Sequence, residues 1–430
     1  MVIKKPRVVI VGAGIAGLTA AHRLYTTNPD LFDLIVVEAG KRIGGRIHTS
    51  EFAGDRIEMG ATWIHGIHGC PIYEIAKKIN AFDHPRSTLY DLSNDNPPTI
   101  VIAEGGSLVD PSTSNPILDL FTTLMETVDS RGLPSSAGPG VGSFLRRALN
   151  TFLADTLGPD SSLSGEWTVK AMQEAVFALK ENVLRVNSSA DDLDDLDLND
   201  EYHDFPGEHI PIDKGYSRIT EHLAAELPPG TIQLGRKVRL IEWCSHGGGT
   251  SPEKAPVRVV LDDESVEIAD HVILTVSLGV LKEGLKEEGK AGVSLRFDPG
   301  LPSFKKDAIR RLGFGVVDKL FMELDNLDGG KFPFMELDNL DGGKFPFMEL
   351  VFHPRVHVEK IPWWMRRSPS IWPINGGSRV VYTWFVGKEA EEVEGLVEDV
   401  VISGVRATLE GFGAHDNKFV KRVTWTKWGQ

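Results

Sequence analysis

Three glycines, Gly12, Gly14 and Gly17, follow the apolar pentad Arg7-Val-Val-Ile-Val11 and open a stretch with helical periodicity from Ile15 to Tyr25. Gly-x-Gly-x-x-Gly between a strand and a helix is spaced to hold a dinucleotide. The first glycine permits the tight turn, the second lets backbone approach a pyrophosphate, and the third lets helix and strand pack closely. The helix start, with Ala16 in its first turn, offers unpaired N–H groups and a partial positive charge to phosphate. Leu34-Ile-Val-Val37 reads as a second buried strand and ends in Glu38. That is about 20 residues on, where a carboxylate bonds a ribose hydroxyl. A chance glycine-rich turn would not bring strand, helix and acid together.

Other residues invite chemistry less firmly. Lys319 lies inside the strand-like run Gly313-Phe-Gly-Val-Val-Asp-Lys-Leu-Phe321, and lysine is uncommon in an apolar run. Read alone, it is either a functional ammonium or a surface lysine on an edge strand. His65 and His68, three apart, raise a metal pair, yet the glycines around them oppose a helix and no cysteine or carboxylate cluster completes a site. No metal is expected. The acidic run Ala190-Asp-Asp-Leu-Asp-Asp-Leu-Asp197 reads as a solvated loop of like charges that at most concentrates a polycation. Glu181, just past a helix expected over 167–179, is a weaker candidate for contact with an amine.

The elements that must position these groups fall into blocks. Helical patterns occupy 117–128, 141–156 and 167–179, separated by a linker at Asn94–Pro98 and a Pro/Gly loop at Arg131–Ser143. From Thr231 strands take over, at 232–234, 238–243, 257–261, 271–275 and 380–386, before a mostly helical stretch from Glu389 to Leu409. Sheet, helices and sheet again imply that a helical block is inserted into a nucleotide-binding domain. Residues 321–333 read FMELDNLDGGKFP and 334–346 repeat them letter for letter, followed by Phe-Met-Glu-Leu again. One copy suits a hairpin turning at Asp-Gly-Gly. A second would flip the strand's inward face, so it is expected to loop out.

The 430 residues carry 46 basic and 61 acidic side chains, a net charge of −15, which disfavours general nucleic-acid binding. No apolar run reaches the roughly 18 residues that a membrane span needs, and Met1–Pro6 leads straight into a strand with no signal-like apolar core. With only Cys70 and Cys244, there is no disulfide framework. A cytoplasmic setting is expected, without nucleic-acid or membrane partners; oligomeric state is open.

The stretch after Glu38, Ala39-Gly-Lys-Arg42-Ile-Gly44-Gly45-Arg46, resembles the second glycine motif of the flavin-containing amine oxidase family, and Gly60-Ala61-Thr62-Trp63-Ile-His65-Gly66 resembles the family's segment beside the flavin ring. The likeness continues through Gly215-Tyr-Ser217, Val238 and Val272-Ile-Leu-Thr275, and covers essentially the whole chain. It implies FAD as cofactor, held by Gly12, Gly14, Ala16, Gly17, Glu38, Ala39, Arg42, Gly44, Gly45, Arg46, Gly60, Ala61, Thr62, Trp63, Val238, Thr275 and Trp428. The fold implied is α/β plus α+β: an FAD-binding Rossmann-like domain of the glutathione-reductase type (1–80 and 208–292) with an inserted substrate domain of mixed sheet and helices (81–207 and 293–430). Trp-Ile-His-Gly, Lys319, Pro362-Trp-Trp-Met-Arg-Arg367 and Trp384-Phe-Val-Gly-Lys-Glu-Ala390 resemble the polyamine oxidase branch, of the plant cytosolic spermine/thermospermine type. The resemblance gives Lys319 a water beside the flavin, His65 the substrate amine, and Trp63 and Trp428 the walls of the flavin. It implies hydride transfer from a polyamine, with O2 as acceptor and hydrogen peroxide as product.

Family members normally run on past Lys427-Trp-Gly-Gln430, into a second FAD segment. The chain as written is therefore expected to be weakly active or inactive, although the full gene product would be an oxidase. Two alternatives stay open, an oxidase of monoamines or methyl-lysine and a non-catalytic FAD-binding or inert fragment. Which polyamine and which C–N bond are not specified by these motifs.

Overall fold

The computed structural model describes residues 5–82, 99–131, 140–156, 167–196, 205–243, 256–286, 294–325, 345–355, 360–375, 378–414 and 419–429. The chain forms two compact units. The first comprises Met1–Ser50, Glu58–Thr88 and Phe205–Phe314, and the second Glu51–Ile57, Leu89–Asp204 and Gly315–Gln430. Two segments differ most from the expected boundaries, beside shifts of a few residues near 81–88 and 205–207. Residues 294–314 join the first unit because Arg296–Asp298 pairs with a strand there. Residues 51–57 go with the second, where Asp55 accepts a 2.7 Å bond from the Ser378 hydroxyl and Arg422 lies over the Phe52 ring.

In the first unit a parallel sheet runs in the order β12-β1-β2-β8, from β1 (Arg7–Val11), β2 (Asp33–Glu38), β8 (Ile232–Leu234) and β12 (His271–Leu274). Its strands read as continuous apolar runs because both faces are covered. Val8 and Ile10 pack with Leu18 and Ala21 of α1 (Ile15–Thr27) and with Ile219 and Leu223 of α6 (Ser217–Ala225). Val9 and Val11 point the other way, onto Val238, Ile241, Val259 and Leu261. These belong to a second sheet of β9 (Val238–Glu242), β10 (Val257–Leu261), β11 (Val266–Ala269) and β13 (Arg296–Asp298), in the order β11-β10-β9-β13. The unit also holds α2 (Pro71–Lys78), α7 (Leu278–Lys286), α8 (Ser303–Arg311) and the pairing of β5 (Trp63–Ile64) with β7 (Ile210–Pro211). β3 (Thr49–Phe52) and β4 (Asp55–Glu58) form a small hairpin.

The second unit is built on a six-stranded sheet in the order β18-β14-β17-β16-β15-β6. Its strands are β6 (Thr99–Ala103), β14 (Val317–Leu324), β15 (Phe347–Val351), β16 (Ser370–Pro373), β17 (Val380–Val386) and β18 (Val420–Trp425). Leu320, Met322, Met348, Leu350, Val381 and Phe385 bury on one face, against α9 (Lys388–Gly395) and α10 (Glu398–Gly411). A separate helical core joins α3 (Pro111–Arg131), α4 (Val141–Thr156) and α5 (Val169–Ser188). Among the described residues no helix is long and apolar enough to cross a membrane.

Three local expectations change. α5 runs to Ser188 rather than 179, closed by Ser189 in the left-handed region, so Glu181 lies within the helix. The acidic run is left to solvent only in part: Asp192 and Asp195 are exposed, whereas Asp191 and Asp194 are half-buried. Asp194 accepts from the Ser143 N–H (2.6 Å) and hydroxyl (2.7 Å), so it caps the first turn of α4 from a distant segment. Asp191 likewise accepts from the Lys388 N–H at 3.2 Å. The repeated Phe-Met-Glu-Leu builds two strands, β14 and β15, that are not neighbours, because β17 and β16 lie between them. They therefore make no hairpin with each other. The same tetrapeptide still serves both strands, since Met322 and Met348 enter one core. The proposed looped-out copy falls mostly within 326–344, outside the described residues.

Candidate active site

The glycine turn closes against the sheet it leaves. Gly12 has φ +107°, and its N–H donates to the Val37 carbonyl at 2.8 Å. A Cβ on Gly17 would stand 1.9 Å from the Gly12 carbonyl oxygen, so only glycine allows this approach of helix to turn. Gly14 is different. A Cβ there would meet nothing within 4 Å: the space before α1 is open. α1 has no side-chain cap and no acid in its first turn, so its leading N–H groups are set to receive an anion. Ala16, in that first turn, is exposed.

Glu38 ends β2 beside this turn. Its Oε2 accepts from the Ala13 N–H and its Oε1 from the Gly40 N–H, both at 2.7 Å; Ala39 between them is exposed. Two backbone bonds anchor the next strand pair to the same corner, Arg236 N–H to the Glu38 carbonyl (2.7 Å) and Gly235 N–H to the Gly40 carbonyl (2.9 Å). Val238, two residues later and buried, is delivered to the carboxylate end of the cradle. Thr275, after β12, donates its hydroxyl to the Val11 carbonyl at 2.8 Å and closes the side opposite Glu38.

The second glycine segment wraps the first. Gly44 N–H donates to the Ala13 carbonyl at 2.8 Å. Arg42 holds the loop in shape, its guanidinium donating to the carbonyls of Ile43 (3.0 Å), Ile47 (3.1 Å) and Gly45 (2.8 Å). Burial lowers the Arg42 pKa, while Glu38 opposes that shift. Gly45 has φ +57°, and Arg46 points to solvent. The Arg46 carbonyl accepts from the Ala61 N–H at 3.1 Å, which ties Gly60-Ala61-Thr62 to the loop and leads into Trp63 of β5. His65 follows, exposed, with its Nδ1 3.1 Å from Nδ1 of His209 and the rings edge to face at 5.2 Å. One nitrogen of that contact donates and the other accepts.

The geometry fits FAD on this chain's own features. An uncapped helix start faces open space, a carboxylate stands at the end of the adjacent strand, and a second glycine loop lies over the first.

In the second unit Lys319 lies on β14, 9% exposed. Strand alternation puts its side chain on the face away from Leu320 and Met322. Trp384 sits directly opposite in β17, and Phe321 opposite Tyr382. That face carries a row of aromatic rings. Phe321 stacks on Tyr382 at 5.6 Å, and Tyr382 meets Trp384 at 4.6 Å. Trp372 meets Trp384 and Phe347 at 5.2 Å each. The sequence reading names Trp384 as part of a motif, but not this row of aromatics. Their signal was the period-two alternation within each strand, but only the register brings four strands' rings into one row. The neighbouring residue 426 holds the Lys319 peptide from both sides: Lys319 N–H donates to the Thr426 hydroxyl at 2.9 Å, and Thr426 N–H donates to the Lys319 carbonyl at 3.0 Å. Trp428, half-buried, bonds through its N–H to Asp318 at 3.2 Å.

Glu181 lies elsewhere in this unit, on a cavity of about 280 Å³ lined also by Arg146, Arg185, Arg366 and Arg367. It pairs with Arg146 at 3.4 Å, and burial raises its pKa against the pull of Arg146. The expected residues therefore gather in two places. The glycine turns, Glu38, Val238, Thr275, Trp63 and His65 belong to the first unit; Lys319 and Trp428 belong to the second, with Glu181 apart from them.

The profile of the flavin-containing amine oxidoreductases matches residues 15–429. Polyamine oxidase 1 of Oryza sativa subsp. japonica is 46% identical, the alignment covering 100% of this chain and 83% of that protein. Probable polyamine oxidase 5 of Arabidopsis thaliana is 42% identical over 94% of this chain and 76% of its own length. The human peroxisomal N(1)-acetyl-spermine/spermidine oxidase is 32% identical over 74% and 62% respectively. Among solved structures, a cofactor-site redesign of putrescine oxidase superposes with a TM-score of 0.59 at 16% identity, covering 99% of this chain and 85% of that one. The glycine cradle of the first unit and a profile match running almost end to end agree: this chain belongs to the flavin-containing amine oxidoreductase family, in its polyamine oxidase branch, and its cofactor is FAD.

Proposed function

We propose that this enzyme oxidises a C–N bond of spermine-like polyamines. The observation that carries the reading is Lys319, buried in a strand opposite Trp384 on an aromatic sheet face, in a chain 46% identical along its own length to a plant polyamine oxidase. FAD, when held by the glycine turns and Glu38, would supply the acceptor for a hydride from the carbon next to the reacting nitrogen and would return the electrons to O2 as hydrogen peroxide. The rest is work for side chains. A reacting nitrogen must be neutral to lose hydride, and a poorly solvated aromatic surface disfavours its ammonium form. The remaining ammoniums of a polycation gain from ring faces such as Trp384 and Tyr382.

In this reading the Lys319 ammonium donates to a water and orients that water's lone pair toward the imine carbon, so that hydrolysis releases aldehyde and shortened amine. His65, engaged with His209 through Nδ1, offers Nε2 to the substrate amine. The resemblance, rather than the geometry, assigns Trp63 and Trp428 to the flavin ring. Glu181 is less suited to an amine contact, because four guanidinium groups share its cavity and repel a cation. A cytoplasmic setting agrees with the free, buried thiol of Cys70.

Hydrogen peroxide release from spermine, benzylamine and a methyl-lysine peptide tests the proposal. Spermine is expected to be turned over in preference to the other two. Preference for benzylamine or the peptide would replace the substrate class, and no peroxide from any amine would leave a flavoprotein without this activity.

A further inference from the structure

Behind Lys319, on the helix-covered face of β14, two carboxyl groups meet out of reach of solvent. Asp318 is 0% exposed, and Glu394, near the end of α9, is 6% exposed. Asp318 Oδ1 accepts from the Thr426 hydroxyl at 2.5 Å and from the Trp428 N–H at 3.2 Å. Glu394 Oε1 accepts from the Gly429 N–H at 2.6 Å. Asp318 Oδ2 is buried without an N–H or hydroxyl donor, and the Glu394 side chain lies against the Asp318 carboxyl.

Lys427, from the segment after β18, donates its ammonium to the Glu394 backbone carbonyl at 2.8 Å. β17 places Phe385 opposite Asp318, β18 contributes the indole of Trp425 to this face, and Lys319 projects from the other side of its strand. Two ionised carboxylates are both acceptors and repel each other, whereas a proton on either one supplies the missing donor. Burial, reinforced by the Glu394 carboxyl and opposed by the Thr426 hydroxyl, pushes Asp318 up to about 7.

We propose that Asp318 and Glu394 hold one proton between them, and that this pair, acting through Thr426, positions Lys319. The second half rests on the role given above to Lys319; the first does not. One hydroxyl links the two. Thr426 Oγ1 accepts the Lys319 N–H and donates its own proton to Asp318. Glu394, through Gly429, fixes the chain just beyond. Doubly ionised, the pair would push α9 away from residues 426–429 and loosen the peptide that aims the lysine. Asp318 and Glu394 are positioning residues, since neither faces the aromatic surface.

Infrared spectroscopy of the flavin-loaded protein, titrated from about pH 5 to about pH 9, reads the proton directly. A protonated-carboxyl C=O band is expected to disappear as the pH passes about 7, and to be missing from both D318N and E394Q. No such band, or a band that survives in both variants, overturns the shared proton. Steady-state kinetics read the positioning. T426V is expected to lose about 10-fold or more in kcat with little change in KM, and T426S, which keeps the hydroxyl, to recover most of it. Equal kcat in T426V, T426S and the parent overturns the link to Lys319. If the parent oxidises no amine, the role of Lys319 has failed, while the infrared titration still decides the proton pair.

Discussion

Replacing Gly14 by alanine separates the nucleotide-binding role of the glycine turn from its packing role. Gly14 has φ −74° and ψ −179°, angles open to any residue, and a Cβ there touches no protein atom within 4 Å. Alanine is a poorer N-cap than glycine by about 0.5–1 kcal/mol, but it restricts the unfolded chain by about 0.4–1 kcal/mol. The two offset, so stability should barely move. The methyl, however, extends about 1.5 Å into the space a pyrophosphate must enter to reach the α1 N–H groups. Hydrogen bonds to charged groups contribute about 1.5–3 kcal/mol each. Weakening two of them amounts to about 3 kcal/mol, or about 100-fold in FAD affinity. Gly17→Ala should behave in the opposite way. Its Cβ would lie 1.9 Å from a backbone oxygen and 2.9 Å from Thr275 Oγ1, so helix and turn must part, at a cost near the upper end of about 1–3 kcal/mol for overpacking. Thermal denaturation of the apoprotein and FAD titration followed by flavin fluorescence distinguish the two. Gly14→Ala with undiminished FAD affinity, or Gly17→Ala as stable as the parent, would refute the division of labour.

Other substitutions probe the second unit. Arg185, with 4% of its side chain exposed, bonds Glu389, 2% exposed, at 2.9 Å; Arg185→Leu should cost about 3 kcal/mol, the low end for stranding a buried partner, because Arg367 still reaches Glu389 at 2.9 Å. Chemical denaturation followed by tryptophan fluorescence measures it. Asp194 is held below its usual pKa first by the Ser143 hydroxyl. Its contribution is therefore complete above the unfolded value of about 3.8 and is lost as pH falls through the lower folded value. Asp194→Ala should lose about 1 kcal/mol of helix capping at neutral pH and lack that acid-range decline, as denaturation curves at several pH values would show. Lys319→Met should retain bound flavin but lose on the order of 100-fold in turnover, read by comparing flavin absorbance with peroxide release.

The first unit was largely legible in the sequence because its signals are local. An apolar run buried on both faces, three spaced glycines and an acid closing the next strand lie within the first 38 residues. The boundaries were harder. The expected substrate domain takes in 294–314, yet the pairing of Arg296–Asp298 with β9 draws them to the nucleotide-binding unit. In the second unit the informative contacts are long-range. The aromatic row joins Phe321, Phe347, Trp372, Tyr382 and Trp384 through strand order, which local alternation does not specify. Asp194 looked like one more charge in an acidic run, since its partner Ser143 lies 51 residues away. Asp318 carries no local signal, because Thr426 and Glu394 reach it only in the folded sheet.

The most direct test is the visible spectrum of the purified chain under anaerobic conditions, before and after spermine. An oxidised-flavin spectrum should bleach on adding spermine and return with oxygen, together with hydrogen peroxide. Bound flavin that stays oxidised in the presence of spermine and related polyamines would contradict the proposed activity.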